Sequence, residues 1–152
     1  MSLNNRSISN GVKVINRIID ANINRTKEGL RVCEEITRFI LNSRNLTLEF
    51  KKIRHKIDTI LKRLPSHIKL LEERDSLKDI GKDIYINELK RKDYQDIFFA
   101  NIQRVKESIR VLEEFTKLIN RNIAIEFKKI RYSIYEIEKK VIKRLSSIYH
   151  FR

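Results

Sequence analysis

Glycine, proline, cysteine and tryptophan are nearly missing from this chain: 152 residues contain Gly 3, Pro 1, Cys 1 and Trp 0. Hairpins and tight turns draw on glycine and proline, so an all-β fold is excluded. The same shortage removes the glycine-rich phosphate loops of Walker-type and Rossmann proteins. A lone Cys33 cannot close an intramolecular disulfide. His55, His67 and His150 show no metal spacing with one another or with Cys33, so no zinc is expected, and no haem. No apolar run approaches the roughly 20 residues that span a bilayer. The opening MSLNNRSISN lacks the basic-then-apolar layout of a signal peptide. These absences point to the cytoplasm and away from membranes.

What is present is charge on a regular apolar frame. Lys+Arg 34 against Asp+Glu 20 gives a net charge of +14, with 41% apolar residues. A chain of about 150 residues buries roughly 68–70% of its unfolded surface, enough for one domain over residues 1–152 without a structural metal. The basic balance invites a nucleic-acid reading, which predicts steep salt dependence. Lys and Arg are nevertheless interleaved with Glu along every segment, as on solvated helix faces, and no aromatic-interleaved basic stripe appears. Nucleic acid therefore ranks third among the partners weighed below.

The sequence repeats itself. Residues Ala21 to Ile40 laid over Ala100 to Ile119, an offset of 79, agree at 12 of 20 positions, including Asn22/Asn101, Arg25/Arg104, Glu28/Glu107, Arg31/Arg110, Glu35/Glu114 and Thr37/Thr116. EFKKIR recurs at Glu49 to Arg54 and Glu126 to Arg131, with the offset shortened to 77. Duplication of a helical hairpin is the simplest account. Val14 to Leu41 keeps an apolar stripe at Ile18, Ile19, Thr26, Gly29, Cys33, Ile36 and Ile40, the 3.6-residue period of a helix. The Asn42-Ser43-Arg44-Asn45 cluster breaks it, Asn45 or Thr47 caps a second helix over Leu46 to Leu64, and Pro65 ends that helix. The plan recurs as Asp93 to Ile119 and Ile123 to about Ile148, parted by Asn120-Arg121-Asn122. Long helices with short breaks pack antiparallel. The expected fold is all-α: two repeated hairpins, about residues 14–64 and 93–148, forming a four-helix, bundle-like domain with an irregular central connection over 65–92. A connection of that length is usually functional.

Several polar residues fall where the pattern calls for apolar ones. Asn22 lies on the stripe of the first helix, Arg25 about 60° to one side, and Arg54 within the apolar arc of the second; Asn101, Arg104 and Arg131 are their counterparts. All six should be substantially buried and therefore partnered. Two readings compete. In one, Glu28, Glu35, Glu107 and Glu114 pair with the arginines and fix helix register. In the other, the Asn and Arg residues line a cleft for an anion, since a guanidinium grips phosphate or carboxylate with two donors.

Residues shared by both halves suit a framework, so the unshared ones are the better catalytic candidates. These are Asp20 against Phe99, His55 against Tyr132, and Arg74, Asp75, Asp79 and Gly81 of the connection. Asp75 and Asp79 offer either Mg²⁺ ligands and bases or caps and turn formers. His55 lies off the apolar stripe, while Cys33 lies on it and reads as a core residue. An uncovered apolar strip at Phe98/Phe99 would favour a homodimer.

The run DANINRTKEGLRVCEEITRFI at Asp20 to Ile40, then Arg54-His55, ERDSLKDIG at Glu73 to Gly81 and ANIQRVKESIRVLEEFTK at Ala100 to Lys117, resemble in order the motifs of a helical domain of bacterial thiamine biosynthesis. That domain commonly precedes a thiamine-phosphate synthase barrel on one chain, a barrel this sequence lacks. The likeness covers roughly residues 15 to 145, with Cys33 in place of the family's usual Leu. It implies an alternative hydroxymethylpyrimidine phosphate kinase that uses ATP and Mg²⁺, acts on a phosphorylated small molecule and has the synthase as a partner. Carried over by motif, it implies Asp20, His55, Asp75 and Asp79 as catalytic residues, with Asp75 and Asp79 toward magnesium. It also implies Asn22, Arg25, Arg54, Arg74, Asn101 and Arg104 toward substrate, and Gly81 toward the nucleotide; Arg131 joins the substrate candidates as the counterpart of Arg54. Glu28, Arg31, Glu35 and Glu107 match the same motifs. A non-catalytic module that captures the phosphate ester or docks on the synthase is the alternative.

Overall fold

Amphipathic stripes with a 3.6-residue period, few helix breakers and polar caps produce five α-helices in the computed structural model, which describes residues 2–64, 67–83 and 89–150. They are α1 (Ser2–Glu35), α2 (Arg44–Arg63), α3 (His67–Glu72), α4 (Tyr94–Thr116) and α5 (Arg121–His150). No strand occurs among the described residues. The fold is all-α, as the composition requires. Pro65, the expected stop of α2, lies outside the described residues, as do the side chains of His67 and His150.

Element ends differ from expectation for local reasons. Helix α1 begins at Ser2 and not at Val14, because nothing in the first turns breaks a helix except the modest cost of Gly11. It closes in one wide turn of π-helix, Ile36–Ile40, in which the Leu41 N–H donates to the Ile36 carbonyl at 3.0 Å. Asn42 follows at φ 48°, in the left-handed region that asparagine tolerates. The cap of α2 is Ser43, not Asn45 or Thr47: its extended backbone lets the hydroxyl accept from the Leu46 N–H at 3.3 Å. Asp93 caps α4 in the same way, accepting from Asp96 N–H at 2.9 Å. Asn120 Oδ1 accepts from the amides of Asn122 and Ile123 at the start of α5. The central connection is not wholly irregular, since α3 forms within it and buries Leu70.

The four long helices form a ring, α1 against α2 and α4, α5 against α4 and α2, around one apolar core. Phe50, Phe98 and Phe127 are its largest fully buried side chains. Cys33 is among the core residues, and burial pushes its thiol pKa up, which leaves it protonated and inert. Because Phe98 is fully buried, the apolar strip expected at Phe98/Phe99 shrinks to the single ring of Phe99.

Helices α1 and α4 approach most closely where residues are small. Thr26 and Ser108 share a buried hydroxyl–hydroxyl hydrogen bond of 2.6 Å. One turn on, a Cβ on Gly29 would lie 2.6 Å from Val105 Cγ2 and 3.1 Å from the Asn101 carbonyl oxygen. At the offset of 79, Thr26 corresponds to Val105 and Gly29 to Ser108, so the two contacts are one contact seen from either side, as across a two-fold axis. Asn22 Nδ2 donates to the Ile18 carbonyl and Asn101 Nδ2 to the Ile97 carbonyl, each at 2.8 Å, which extends the correspondence.

Gly29→Ala should therefore destabilise the protein by about 1–3 kcal/mol through overpacking. Gly11, with nothing within 4 Å of an added Cβ, is the control: Gly11→Ala should leave the melting temperature unchanged or raise it slightly. Thermal melts of both variants check the pair.

Candidate functional site

The long central connection has to run back along the bundle, and it lies across α1. Residues at three- and four-residue spacing on one face of α1, Arg17, Asp20, Asn24, Arg25 and Glu28, meet Arg74, Asp75, Lys78 and Asp79 around a cleft of about 790 Å³. That volume is in the range of small-molecule sites. One interaction holds the two sides together. Arg74 donates from Nε to Asp20 Oδ2 at 2.7 Å and from Nη2 to Asp20 Oδ1 at 2.8 Å. The hydrogen bonds that Asp20 accepts raise the pKa of Arg74 above the ordinary guanidinium value. Asn24 adds a donor to Asp20 Oδ1 at 3.3 Å.

The acidic residues of the connection shape its turns. Asp75 Oδ1 accepts from Lys78 N–H at 3.3 Å and Asp79 Oδ1 from Gly81 N–H at 2.8 Å, so Gly81 directs its amide at Asp79 and lies outside the cleft lining. The cations are less engaged. Arg25 donates only to Asn22 Oδ1, at 3.4 Å, and neither Arg17 nor Lys78 forms an ion pair among the described residues. The cleft thus combines three cationic groups lacking a carboxylate partner with carboxylates that each keep an oxygen outside their turn. No group of three or more His, Cys, Asp or Glu among the described residues could form a metal cage.

The structure separates the other sequence candidates. Arg25 and Arg104 are exposed and not buried, because a long side chain 60° off the stripe reaches water. Arg54 and Arg131 are half-buried and have carboxylate partners, but these are Glu34 and Glu113, not Glu28, Glu35, Glu107 or Glu114. Arg54 Nη2 meets both Glu34 oxygens at 3.1 and 3.0 Å, and Arg31 Nη1 meets Oε2 at 2.8 Å. In the other half Arg131 donates from Nε to Glu113 Oε2 at 2.8 Å, and Arg110 reaches Oε1 at 3.1 Å. The register network is real for these two arginines, with the acid one residue past Cys33 or Leu112, on the helix side that faces the partner helix. Asn101 and Arg104 lie on α4 outside the lining of the cleft, and Phe99 stands where Asp20 would be. His55 belongs to a different depression, between α2 and α5. Arg17, Asn24 and Lys78 were not singled out by sequence; continuing the α1 face by one turn to each side of Asp20 would have found the first two.

Comparison with known proteins bears on this geometry. Residues 17–140 match the ThiD2 family. The chain belongs to that family. Its relatives include the thiamine-phosphate synthases of Nostoc punctiforme, 38% identical over 86% of this chain, and of Synechocystis sp., 38% identical over 86%. That of Rhodopirellula baltica is 36% identical over 81%. The matched region is 36%, 38% and 33% of those proteins, so the chain spans about a third of the length of each. No solved structure gives a significant match. The family match takes in the α1 face from Arg17 onward and the whole of the 74–80 segment, so every polar group of the cleft lies within it. No helix among the described residues is long and apolar enough to cross a membrane.

The paired carboxylates give the fold an acid limit. Burial pushes Glu34 and Glu113 up, but hydrogen bonds from Arg31 and Arg54, and from Arg131 and Arg110, outweigh it and hold both below the ordinary carboxylate value. Stability from such groups is complete above the unfolded value of about 4.3 and is lost as pH falls toward the depressed folded values. Melting temperature should therefore drop below about pH 4.5. The Glu34→Gln/Glu113→Gln double variant should melt lower at neutral pH and show a flatter acid limb.

Proposed function

We propose that the domain phosphorylates hydroxymethylpyrimidine phosphate to its diphosphate in thiamine biosynthesis, with the cleft between α1 and the 74–80 segment as the substrate site. The observation that carries this reading is the convergence there of Arg17, Arg25 and Lys78, which form no ion pair among the described residues, with the acidic residues Asp75 and Asp79. Family membership and the synthase relatives supply the pathway.

The acceptor in this reaction is a phosphate oxygen. With a second pKa near 6 it is already ionised at neutral pH, so the reaction needs no general base. That oxygen attacks the terminal phosphorus of the donor, the bond to the bridging oxygen breaks, and ADP leaves. Asp20 and His55, expected from the sequence to be catalytic, have no proton to take in this step. Asp20 instead holds Arg74, whose Nη1 remains available to a phosphate oxygen. Arg17, Arg25 and Lys78 would neutralise the approaching phosphates, which otherwise repel one another. Mg²⁺ is commonly held by one or two carboxylates together with substrate phosphates, and the Oδ2 atoms of Asp75 and Asp79 fit that requirement. A magnesium ion bound there with the nucleotide would supply charge neutralisation on the transferred group.

A second reading, capture of the phosphate ester on behalf of a thiamine-phosphate synthase without chemistry, draws on the synthase relatives. Incubation with hydroxymethylpyrimidine phosphate, ATP and Mg²⁺, followed by mass analysis, separates the two. Diphosphate formation establishes the kinase; a thermal shift with the ester but no product supports capture; neither signal overturns both. In the kinase case Arg25→Ala should lose about 10- to 100-fold in kcat/KM with a near-normal melt, the size of one lost charged contact. Asp75→Asn and Asp79→Asn keep the turn-forming oxygen, and should fold normally yet lose magnesium-dependent turnover.

A further inference from the structure

A second cluster of positive charge lies away from the cleft, in a groove of about 490 Å³ between α2 and α5. Two ion pairs fasten these helices: Arg63 to Glu126 at one end, and Lys140 to Glu49 at 2.8 Å at the other. At the offset of 77, Arg63 corresponds to Lys140 and Glu49 to Glu126, so the two bridges are counterparts and set an antiparallel register. Between them the halves diverge. Lys56 has Ser133 as its counterpart, and the register places the two opposite each other, a long cation facing a small hydroxyl. The space this leaves is lined by Lys52, Lys56 and Lys129, with His55 and Thr59 on the same wall. None of the three lysines forms an ion pair among the described residues, and the single carboxylate of the groove, Glu126, is taken by Arg63.

We propose that this groove is a binding site for the diphosphate group of a small molecule, separate from the cleft on α1. Lys52 and Lys56 stand one helical turn apart, about 5–6 Å, and the register sets Lys129 on the facing helix opposite Ile60, one turn beyond Lys56. Three ammonium groups exceed the charge of one phosphate monoester, about −1.5 to −2, and match a ligand with two linked phosphates. The His55 imidazole adds a further donor beside them, while the Thr59 hydroxyl donates to the His55 carbonyl at 3.0 Å. The groove is short, bounded by the Arg63–Glu126 bridge, and so selects a compact anion over a polymer backbone. The α1 cleft differs in kind, since its four basic residues face four acidic ones.

Calorimetric titration of the full chain with inorganic pyrophosphate, without metal, at low and moderate salt, tests this. Wild type should bind; Lys56→Ala and Lys129→Ser should each weaken binding about 10-fold or more, and Lys139→Ala, outside both sites, should bind like wild type. All three positions are exposed, so unchanged melting temperatures will exclude misfolding. Pyrophosphate binding that survives Lys56→Ala and Lys129→Ser but disappears in Arg25→Ala overturns the assignment. So does a groove that ignores pyrophosphate yet takes a short DNA duplex with steep salt dependence.

Discussion

Everything in this fold hangs on how closely α1 and α4 can approach. Gly29 on one helix and Ser108 on the other leave room for the facing Val105 and Thr26, and the Thr26–Ser108 hydrogen bond satisfies both hydroxyls in a place water does not reach. With that crossing set, α2 and α5 are carried to the flanks, where each brings an arginine to a carboxylate of its own hairpin: Arg54 to Glu34 and Arg131 to Glu113. Breaking either pair leaves a buried charge, so these bridges penalise any other register more than they add to stability.

The second constraint is the connection. It is too long for a turn; α3 within it sends Leu70 into the core, residues 74–80 lie outside along α1, and one guanidinium anchors them. Arg74 has no counterpart in the other half and Asp20 has only Phe99, and the two unshared residues are bonded to each other. Symmetry in the bundle and asymmetry in the site thus have separate sources: the helices match because they share a sequence pattern, and the cleft is single because only one segment joins them.

The fold was legible because it rests on periodicity. Ile19, Cys33, Ile57 and Ile134 fall on stripes that need no partner information to interpret. Capping was less legible, since Ser43, Asn45 and Thr47 are all good caps and the backbone turn at Asn42 decides among them. The cleft was partly legible: Asp20, Arg25, Arg74, Asp75 and Asp79 stand out as unshared or as polar intrusions. Their mutual position was not, because residues 54 apart meet only through the path of the connection. The partners of the arginines were misread because helical angle alone does not say which flank of α1 faces α2. Glu34 is on that flank and Glu35 is not.

The arrangement of the repeat also shapes how the chain can reach its structure. Each hairpin closes locally, through helices joined by a few residues, and can do so early. The α1–α4 crossing joins residues 82 apart in sequence, and none of its contacts exists until two preformed halves dock. Loop-closure entropy must be met before that interface returns anything, which makes docking the slow step for a fold whose helices form quickly. The glycine at the crossing then controls how fast the folded bundle comes apart more than how fast it assembles, because its close fit exists only on the native side of that step.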